Sequence, residues 1–197
     1  MKTLLHSIAA LALGGALVLL PIKVSAHFKL LQPPSVWIAE DGGLGVPPCG
    51  DGRPAEVVTK VRGGHPYEIR ILEYAIHPGH YRIALSVNSR AELPKDPDVD
   101  AKDNRSVSAT IDANPKIPVL ADGLFVHTTA PQNTEWQTEV MLPNIDCDRC
   151  TLQVIQFMAN HEFNPGGGYY YHHCADLKIA ADPKLPPADK AWLNLSQ

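Results

Sequence analysis

The stretch Tyr67–Ile76, YEIRILEYAI, decides the fold class of this 197-residue chain. It is rich in β-branched and aromatic residues, and its alternate positions Ile69 and Ile71 are those of a strand with one apolar face. Turn signals bound it on both sides, Gly63-Gly64 before it and Pro78-Gly79 after it. The stretch therefore predicts a β-strand between two turns.

Similar short runs recur along the chain, and helix signals are scarce. The predicted strands are Phe28–Leu31, Val57–Val61, Tyr67–Ile76, Tyr81–Val87, Leu124–Thr128, Glu135–Leu142, Leu152–Met158 and Tyr169–Ile179. Seven or eight strands in this length predict an all-β fold, an immunoglobulin-like or fibronectin-III-like antiparallel β-sandwich. Three segments lie outside the strands. We expect a long loop over Ser35–Pro54, a polar surface excursion over Leu93–Lys116, and a peripheral wrap or a frayed tail from Pro183 onward.

The first 26 residues have the pattern of a secretory signal peptide. Lys2 precedes an apolar run, and the small residues Val24-Ser25-Ala26 precede the expected cleavage site. Gly14, Gly15 and Pro21 interrupt the run, which disfavours a retained membrane anchor. Cleavage after Ala26 leaves residues 27–197 as one domain, secreted or periplasmic and not attached to a membrane.

The charge of the predicted mature chain excludes some partners. The chain has 17 basic and 21 acidic residues, and the signal peptide removes two lysines and no acid, which leaves a formal charge of −6. Nucleic acids and anionic membranes favour a basic face, so neither is an expected partner. A neutral polymer is compatible with this charge.

Four cysteines, Cys49, Cys147, Cys150 and Cys174, remain after cleavage. An even number in an exported chain favours disulfides, and three pairings are possible. Cys147-Asp148-Arg149-Cys150 also has the spacing of half a zinc site or of a redox pair, but no second close pair accompanies it. The spacing favours a local disulfide in a turn, which leaves Cys49 to bond Cys174.

Cleavage after Ala26 would make His27 the first residue of the mature protein. The α-amine and the imidazole Nδ1 of an N-terminal histidine can chelate one metal ion, and one further imidazole completes a planar set of three nitrogens. Cu(II) favours tetragonal nitrogen coordination and heads the divalent affinity order. The sequence therefore predicts one copper ion per chain.

Other histidines are candidates for the further ligand. His77 and His80 flank the Pro78-Gly79 turn, where a rigid turn can hold an imidazole. His65 and His127 are expected to be structural or surface residues. Near the end of the chain, strand alternation places Tyr169, Tyr171 and His173 on one face, and Tyr170, His172 and Cys174 on the other. If Cys174 points into the core, Tyr171 faces a surface site.

These motifs together resemble the copper-dependent lytic polysaccharide monooxygenases, and most closely a bacterial polysaccharide-monooxygenase-like group. The resemblance extends from the first mature residue to Ile179. It is carried by His27, by the turn His77-Pro78-Gly79, by the run Leu152–His161, and by Tyr171-His172-His173-Cys174-Ala175-Asp176-Leu177.

The resemblance implies roles for individual residues. His27 and His77 would form the copper histidine brace, Tyr171 would fill the axial position, and His161 would assist oxygen activation. Cys49–Cys174 would be a disulfide shared with the family. His80, Gln156 and Tyr169 would surround the metal ligands or replace one of them. Fungal members have a glutamine where this chain has Tyr169, and Trp37, Tyr169 and Tyr170 could form part of an aromatic substrate surface.

Three functions are compatible with these observations. The first is a secreted copper-dependent monooxygenase, a monomer that cleaves a polysaccharide oxidatively with an external electron donor and oxygen or peroxide. The second is a non-catalytic copper-binding or copper-delivery protein that uses the same brace. The third is a carbohydrate-binding or structural sandwich with no metal.

Overall fold

A computed structural model describes residues 27–38, 45–51 and 53–195 of the chain. The predicted signal peptide, residues 1–26, lies outside the described residues. The described part contains twelve strands: β1 His27–Gln32, β2 Trp37–Ile38, β3 Arg53–Pro54, β4 Val58–Arg62, β5 Pro66–Ala75, β6 Gly79–Ser86, β7 Val99–Lys102, β8 Arg105–Ala109, β9 Val119–His127, β10 Thr134–Met141, β11 Cys147–Met158 and β12 Tyr170–Ala180. Two short 3-10 turns, Arg90–Glu92 and Lys190–Asn194, are the helical elements of this part. No helix in these ranges is long and apolar enough to cross a membrane.

Two sheets form a β-sandwich. The small sheet has the order β1-β5-β10, and the large sheet has the order β4-β12-β11-β6-β9. All neighbours are antiparallel except β4 and β12, which are parallel. The predicted all-β sandwich is therefore confirmed, and each of the eight predicted strands overlaps an observed one.

The main core lies between the two sheets. Ile69 and Ile71 of β5 are fully buried and pack with Tyr81, Ile83 and Leu152 of the large sheet. Burying an aliphatic side chain of this size contributes about 1.5–3 kcal/mol. The alternation that predicted β5 is thus the pattern that fills the core.

The outer face of the large sheet is also covered, by part of the segment Leu93–Lys116. Most of this segment is exposed, as expected of a polar surface excursion, but it also contains the β7–β8 hairpin. Val99 and Ala109 of the hairpin pack against Phe157 and Tyr170. The segment is a second layer over the sheet, because the outer face of β11 and β12 carries large apolar side chains.

Both predicted disulfides are present, Cys49–Cys174 and Cys147–Cys150. The first closes a sequence separation of 125 residues, and the loop entropy of such a crosslink is on the order of 4–5 kcal/mol. Cys174 does not point into the main core. It lies on the outer face of β12 with Val36 and Ala84, and Tyr171 packs between the sheets. The alternation was predicted correctly, but the two faces are interchanged.

The C-terminal segment wraps around the sandwich as far as residue 195. Trp192 is buried and packs into the main core. The Ala188 amide donates a hydrogen bond to the Asn144 carbonyl oxygen, 3.1 Å away. These contacts hold the tail at the end of the sandwich where β5 begins.

Candidate functional site

Strand pairing brings four distant segments to one end of the sandwich. His27 lies opposite the last residue of β5. Gly79 lies opposite Met158, the last residue of β11. Gln156 of β11 lies opposite Tyr171 of β12. Four segments are therefore neighbours: the first residue of β1, the turn after β5, the turn after β11 and the start of β12.

Four of the residues predicted from the resemblance meet at this end. The ring centroids of His77 and His161 are 5.1 Å apart, and those of His27 and Tyr171 are 5.5 Å apart. His161 and Tyr171 follow at 6.4 Å. We call His27, His77, His161 and Tyr171 the histidine cluster.

His27 packs with two tyrosine rings. Its ring stacks on Tyr74 at 5.6 Å, and its centroid lies 5.5 Å from that of Tyr171. Only 8 % of His27 is exposed. The carbonyl oxygen of the next residue, Phe28, accepts a hydrogen bond from His173 Nε2, 2.9 Å away. The start of β1 is thus fixed against β12.

The turn His77-Pro78-Gly79 is fixed at each of its three residues. The His77 amide donates to Glu73 Oε1, 3.3 Å away. The Ala159 amide donates to the Pro78 carbonyl oxygen at 2.7 Å. A Cβ on Gly79 would collide with the Phe157 carbonyl oxygen. Glycine is needed here because β6 and β11 approach too closely for any side chain.

The His77 imidazole has the properties of a metal ligand. Burial and the neighbouring imidazoles of His161 and His27 lower the pKa of His77 to about 4, although Glu73 acts in the opposite direction. The ring is therefore neutral near pH 7, which is the form that binds metals. Its Nε2 is buried, and among the described residues it has no hydrogen-bond partner. An unpartnered buried nitrogen costs about 1–3 kcal/mol, a cost that a metal bond would offset.

His161 is positioned by a buried serine of the β7–β8 hairpin. The His161 amide donates to Ser106 Oγ at 3.1 Å, and this hydroxyl also lies within hydrogen-bond distance of the Met158 carbonyl oxygen. His161 Nδ1 lies 2.6 Å from the Glu162 carbonyl oxygen. Because a carbonyl oxygen only accepts, Nδ1 carries the proton, and Nε2 is the basic nitrogen of the neutral ring.

Tyr171 is covered by two loops that cross at glycines. Only 4 % of Tyr171 is exposed. A Cβ on Gly167 would collide with the Gly45 carbonyl oxygen, and a Cβ on Gly45 would lie 4.0 Å from Tyr171 Cε1. The close crossing of the two backbones therefore closes one side of the histidine cluster.

Other predicted residues lie elsewhere. His80 is buried on the outer face of β6, with its ring 5.2 Å from Phe157, and burial lowers its pKa. Tyr169 packs edge-on against Phe163 at 5.5 Å. Tyr170 is buried and donates to the Pro97 carbonyl oxygen, and Trp37 packs near Cys49. The three aromatic residues considered for a substrate surface are therefore not one array.

Sequence reasoning missed Glu73. Its carboxylate is fully buried, although isolated buried charge costs several kcal/mol. Gln156 Nε2 and Trp136 Nε1 donate to it at 2.7 and 2.9 Å, and His127 Nε2 lies 3.4 Å away. Burial acts to raise the pKa of Glu73, but the nearby His127 imidazole and the hydrogen bond from Trp136 outweigh it and lower the pKa. The nearby Glu73 carboxylate likewise raises the pKa of His127.

A signal for Glu73 was present in the sequence. It continues the alternate series Ile69 and Ile71 and so occupies a core position of β5. An acidic residue at such a position requires buried partners. His127, expected to be structural, is one of them.

The available nitrogen ligands suit a histidine brace, which uses an α-amine, better than a metal site made of side chains alone. Within 27–38, 45–51 and 53–195, no three His, Cys, Asp or Glu side chains form a group able to hold a metal. Two imidazoles and an α-amine need no third side chain. The buried and unpartnered Nε2 of His77 beside His27 fits that arrangement.

No protein-family model matches the chain, and no curated protein sequence matches it. Among solved structures, the chain is similar to an AA10 lytic polysaccharide monooxygenase from Streptomyces lividans, with a TM-score of 0.41 and 12 % sequence identity. The match covers 72 % of this chain and 69 % of that chain.

Proposed function

We propose that the protein is an exported copper protein that holds one copper ion between His27 and His77 and acts as a polysaccharide monooxygenase. The observation that carries the proposal is the His77 imidazole, which is neutral, partly buried and unpartnered at Nε2 among the described residues. Its ring centroid lies 5.1 Å from that of His161, and His27 contributes to its lowered pKa.

Each residue of the histidine cluster has a distinct part in this proposal. After cleavage behind Ala26, His27 offers its α-amine and its imidazole, and His77 offers Nε2. Tyr171 packs against the His27 ring and shields that side from water. His161, whose Nδ1 proton is held by the Glu162 carbonyl oxygen, offers Nε2 to accept a proton.

Bound copper would supply one-electron redox chemistry which, with an external electron donor and oxygen or peroxide, oxidises a carbon beside a glycosidic bond. The substrate class is a neutral polysaccharide. The two disulfides accord with a secreted or periplasmic location.

A second candidate is copper binding or delivery without catalysis. It is favoured by the separation of Trp37 from Tyr169 and Tyr170, since the two tyrosines pack in one cluster and Trp37 packs in another. Enzymes that act on solid polymers need a surface that recognises the chain. A protein that passes copper to a partner does not.

The first experiment tests the brace. Protein that begins at His27 is titrated with Cu(II) by calorimetry beside protein that keeps Ala26 ahead of His27, and mass spectrometry establishes both N-termini. We expect one copper per chain with proton release for the first form, because an α-amine has a pKa of about 7.7–8. The extended form should lose most of its affinity. Equal affinities would remove the α-amine from the site.

The second experiment separates the two candidates. Copper-loaded protein and a reductant are incubated with chitin, cellulose and hemicelluloses, and soluble products are analysed by mass spectrometry. Oxidised oligosaccharides from any of these polymers support the monooxygenase. Tight copper binding without products from the whole panel supports delivery.

A further inference from the structure

Glu73 joins both sheets to the turn that carries His77. It belongs to β5 of the small sheet, and its partners come from three other strands: Trp136 from β10, His127 from β9 and Gln156 from β11. Its fourth partner is the His77 amide. The carboxylate thus contacts strands of both sheets and the turn together.

The two carboxylate oxygens have different partners. Oε1 accepts from the His77 amide at 3.3 Å and from Gln156 Nε2 at 2.7 Å. Oε2 accepts from Trp136 Nε1 at 2.9 Å and lies 3.4 Å from His127 Nε2. The partners of Oε2 fix the carboxyl plane, and the fixed plane directs Oε1 at the turn.

Packing alone does not account for an acidic residue here. The two preceding core positions of β5 are Ile69 and Ile71, which fill the same inter-sheet space without buried charge. A third aliphatic residue would satisfy the core, but it would leave the donors of Trp136, Gln156 and the His77 amide without an acceptor. The contact that distinguishes Glu73 from an aliphatic core residue at the proposed site is its hydrogen bond with the His77 amide.

We propose that Glu73 is a positioning residue that holds the His77 backbone and thereby orients His77 Nε2 for copper without touching the metal. This inference rests on the proposed function, since it takes His77 as a ligand. In this inference, the orientation of the ligand depends on a core residue that lies four positions before it in the sequence.

The test compares Glu73→Gln with Glu139→Gln. Glutamine keeps the size of Glu73 but removes one acceptor oxygen and the charge. Glu139 is exposed on the neighbouring strand β10 and serves as the matched control. Wild type and both variants are studied at His27-initiated N-termini, with Cu(II) alone as the probe.

Two measurements are made on each protein. Hydrogen exchange of the metal-free protein reports the His77 amide, and we expect exchange about tenfold faster in Glu73→Gln. Cu(II) titration with EPR reports the ligand geometry. We expect an altered copper hyperfine splitting and an affinity about 10 to 100-fold lower, the usual effect of losing an outer partner of a metal ligand. Glu139→Gln should match wild type in both.

A milder variant keeps the test decisive if Glu73→Gln does not fold. Trp136→Phe removes one donor to Oε2 and keeps an aromatic ring. It should speed His77 exchange and shift the EPR spectrum in the same direction by a smaller amount. Unchanged exchange and unchanged EPR in every folded variant would overturn the inference and leave copper binding in place. Failure of wild type to bind Cu(II) would overturn both the inference and the proposed function.

Discussion

The two ends of β5 carry the same dipeptide in opposite surroundings. His65-Pro66 begins the strand and His77-Pro78 follows it, and each histidine sits in a turn with glycine nearby. His65 is 41 % exposed in its side chain, and its Nε2 lies 2.9 Å from Asp182 Oδ2. His77 Nε2 is buried and faces other imidazoles. The local sequence is therefore not what separates a structural histidine from a candidate ligand.

The difference extends to the polar groups around each turn. At the His65 end, Asn144 Nδ2 lies within 3.1 Å of the carbonyl oxygens of Asp182, Leu185 and Pro186, and Asn144 Oδ1 accepts from the Asp182 amide at 2.7 Å. These bonds saturate one side chain and tie down the tail. At the His77 end, a buried nitrogen keeps its lone pair unused by the described protein. The Asn144 amide is thus fully used within the protein, whereas the buried His77 Nε2 has no partner among the described residues.

The sharpest test of this contrast is a pair of substitutions. His77→Ala removes a nitrogen ligand in the proposal, and we expect Cu(II) affinity to fall more than about 100-fold, beyond the range for losing an outer partner, with loss of the axial EPR signal. His65→Ala should keep wild-type affinity. His80→Ala, on the outer face, should also keep the signal. Loss of copper in His80→Ala with retention in His77→Ala would reverse the ligand assignment.

Asn144→Ala tests the His65 end of β5 through its effect on the free energy of unfolding. The substitution leaves a buried backbone amide and several carbonyl groups without partners, which should lower the free energy of unfolding by about 1–3 kcal/mol. Chemical denaturation measures the loss. Cu(II) affinity should be unchanged because the site lies at the opposite end of β5. A copper defect in folded Asn144→Ala would show that the two ends are coupled.

Tyr171→Phe asks whether the His77 end holds the metal through nitrogen atoms alone. In the proposal Tyr171 would not be a nitrogen ligand and packs on the ring of His27, so affinity should stay within about threefold of wild type while the EPR spectrum or the reactivity changes. Calorimetry and EPR on the same sample measure both. Complete loss of copper would point to a misplaced ligand.

The smallest expected effect is a pH dependence at the His65 end. Hydrogen bonds from the Lys184 amide and from His65 hold the pKa of Asp182 below its ordinary value. The folded protein then binds this proton less tightly than the unfolded chain. The resulting stabilisation is complete above the unfolded pKa of about 3.9 and is lost as pH falls through the folded pKa. Asp182→Asn should flatten the acid limb of stability against pH, and an unchanged limb would contradict the assignment.

The strands and the Cys147–Cys150 disulfide were predictable because alternation and close cysteine spacing are local patterns, and Cys49–Cys174 was then the pair left over. The β7–β8 hairpin was not predicted, since its charged residues hide the few apolar contacts that hold it on Phe157. The site residues that could be named from sequence carry recognisable motifs. Glu73 and Ser106 carry none, because their roles depend on strands that pair far from them in sequence.

The hydrogen bond between His173 and the Phe28 carbonyl oxygen joins the last strand to the first, across 145 residues. Contacts of such long range form late, because the intervening chain must fold before its ends can meet. In the proposed function, a chain emerging during export would therefore present His27 long before β12 arrives beside it. In this proposal, the first strand begins with a metal ligand, so the final position of that ligand depends on a contact made by the last strand.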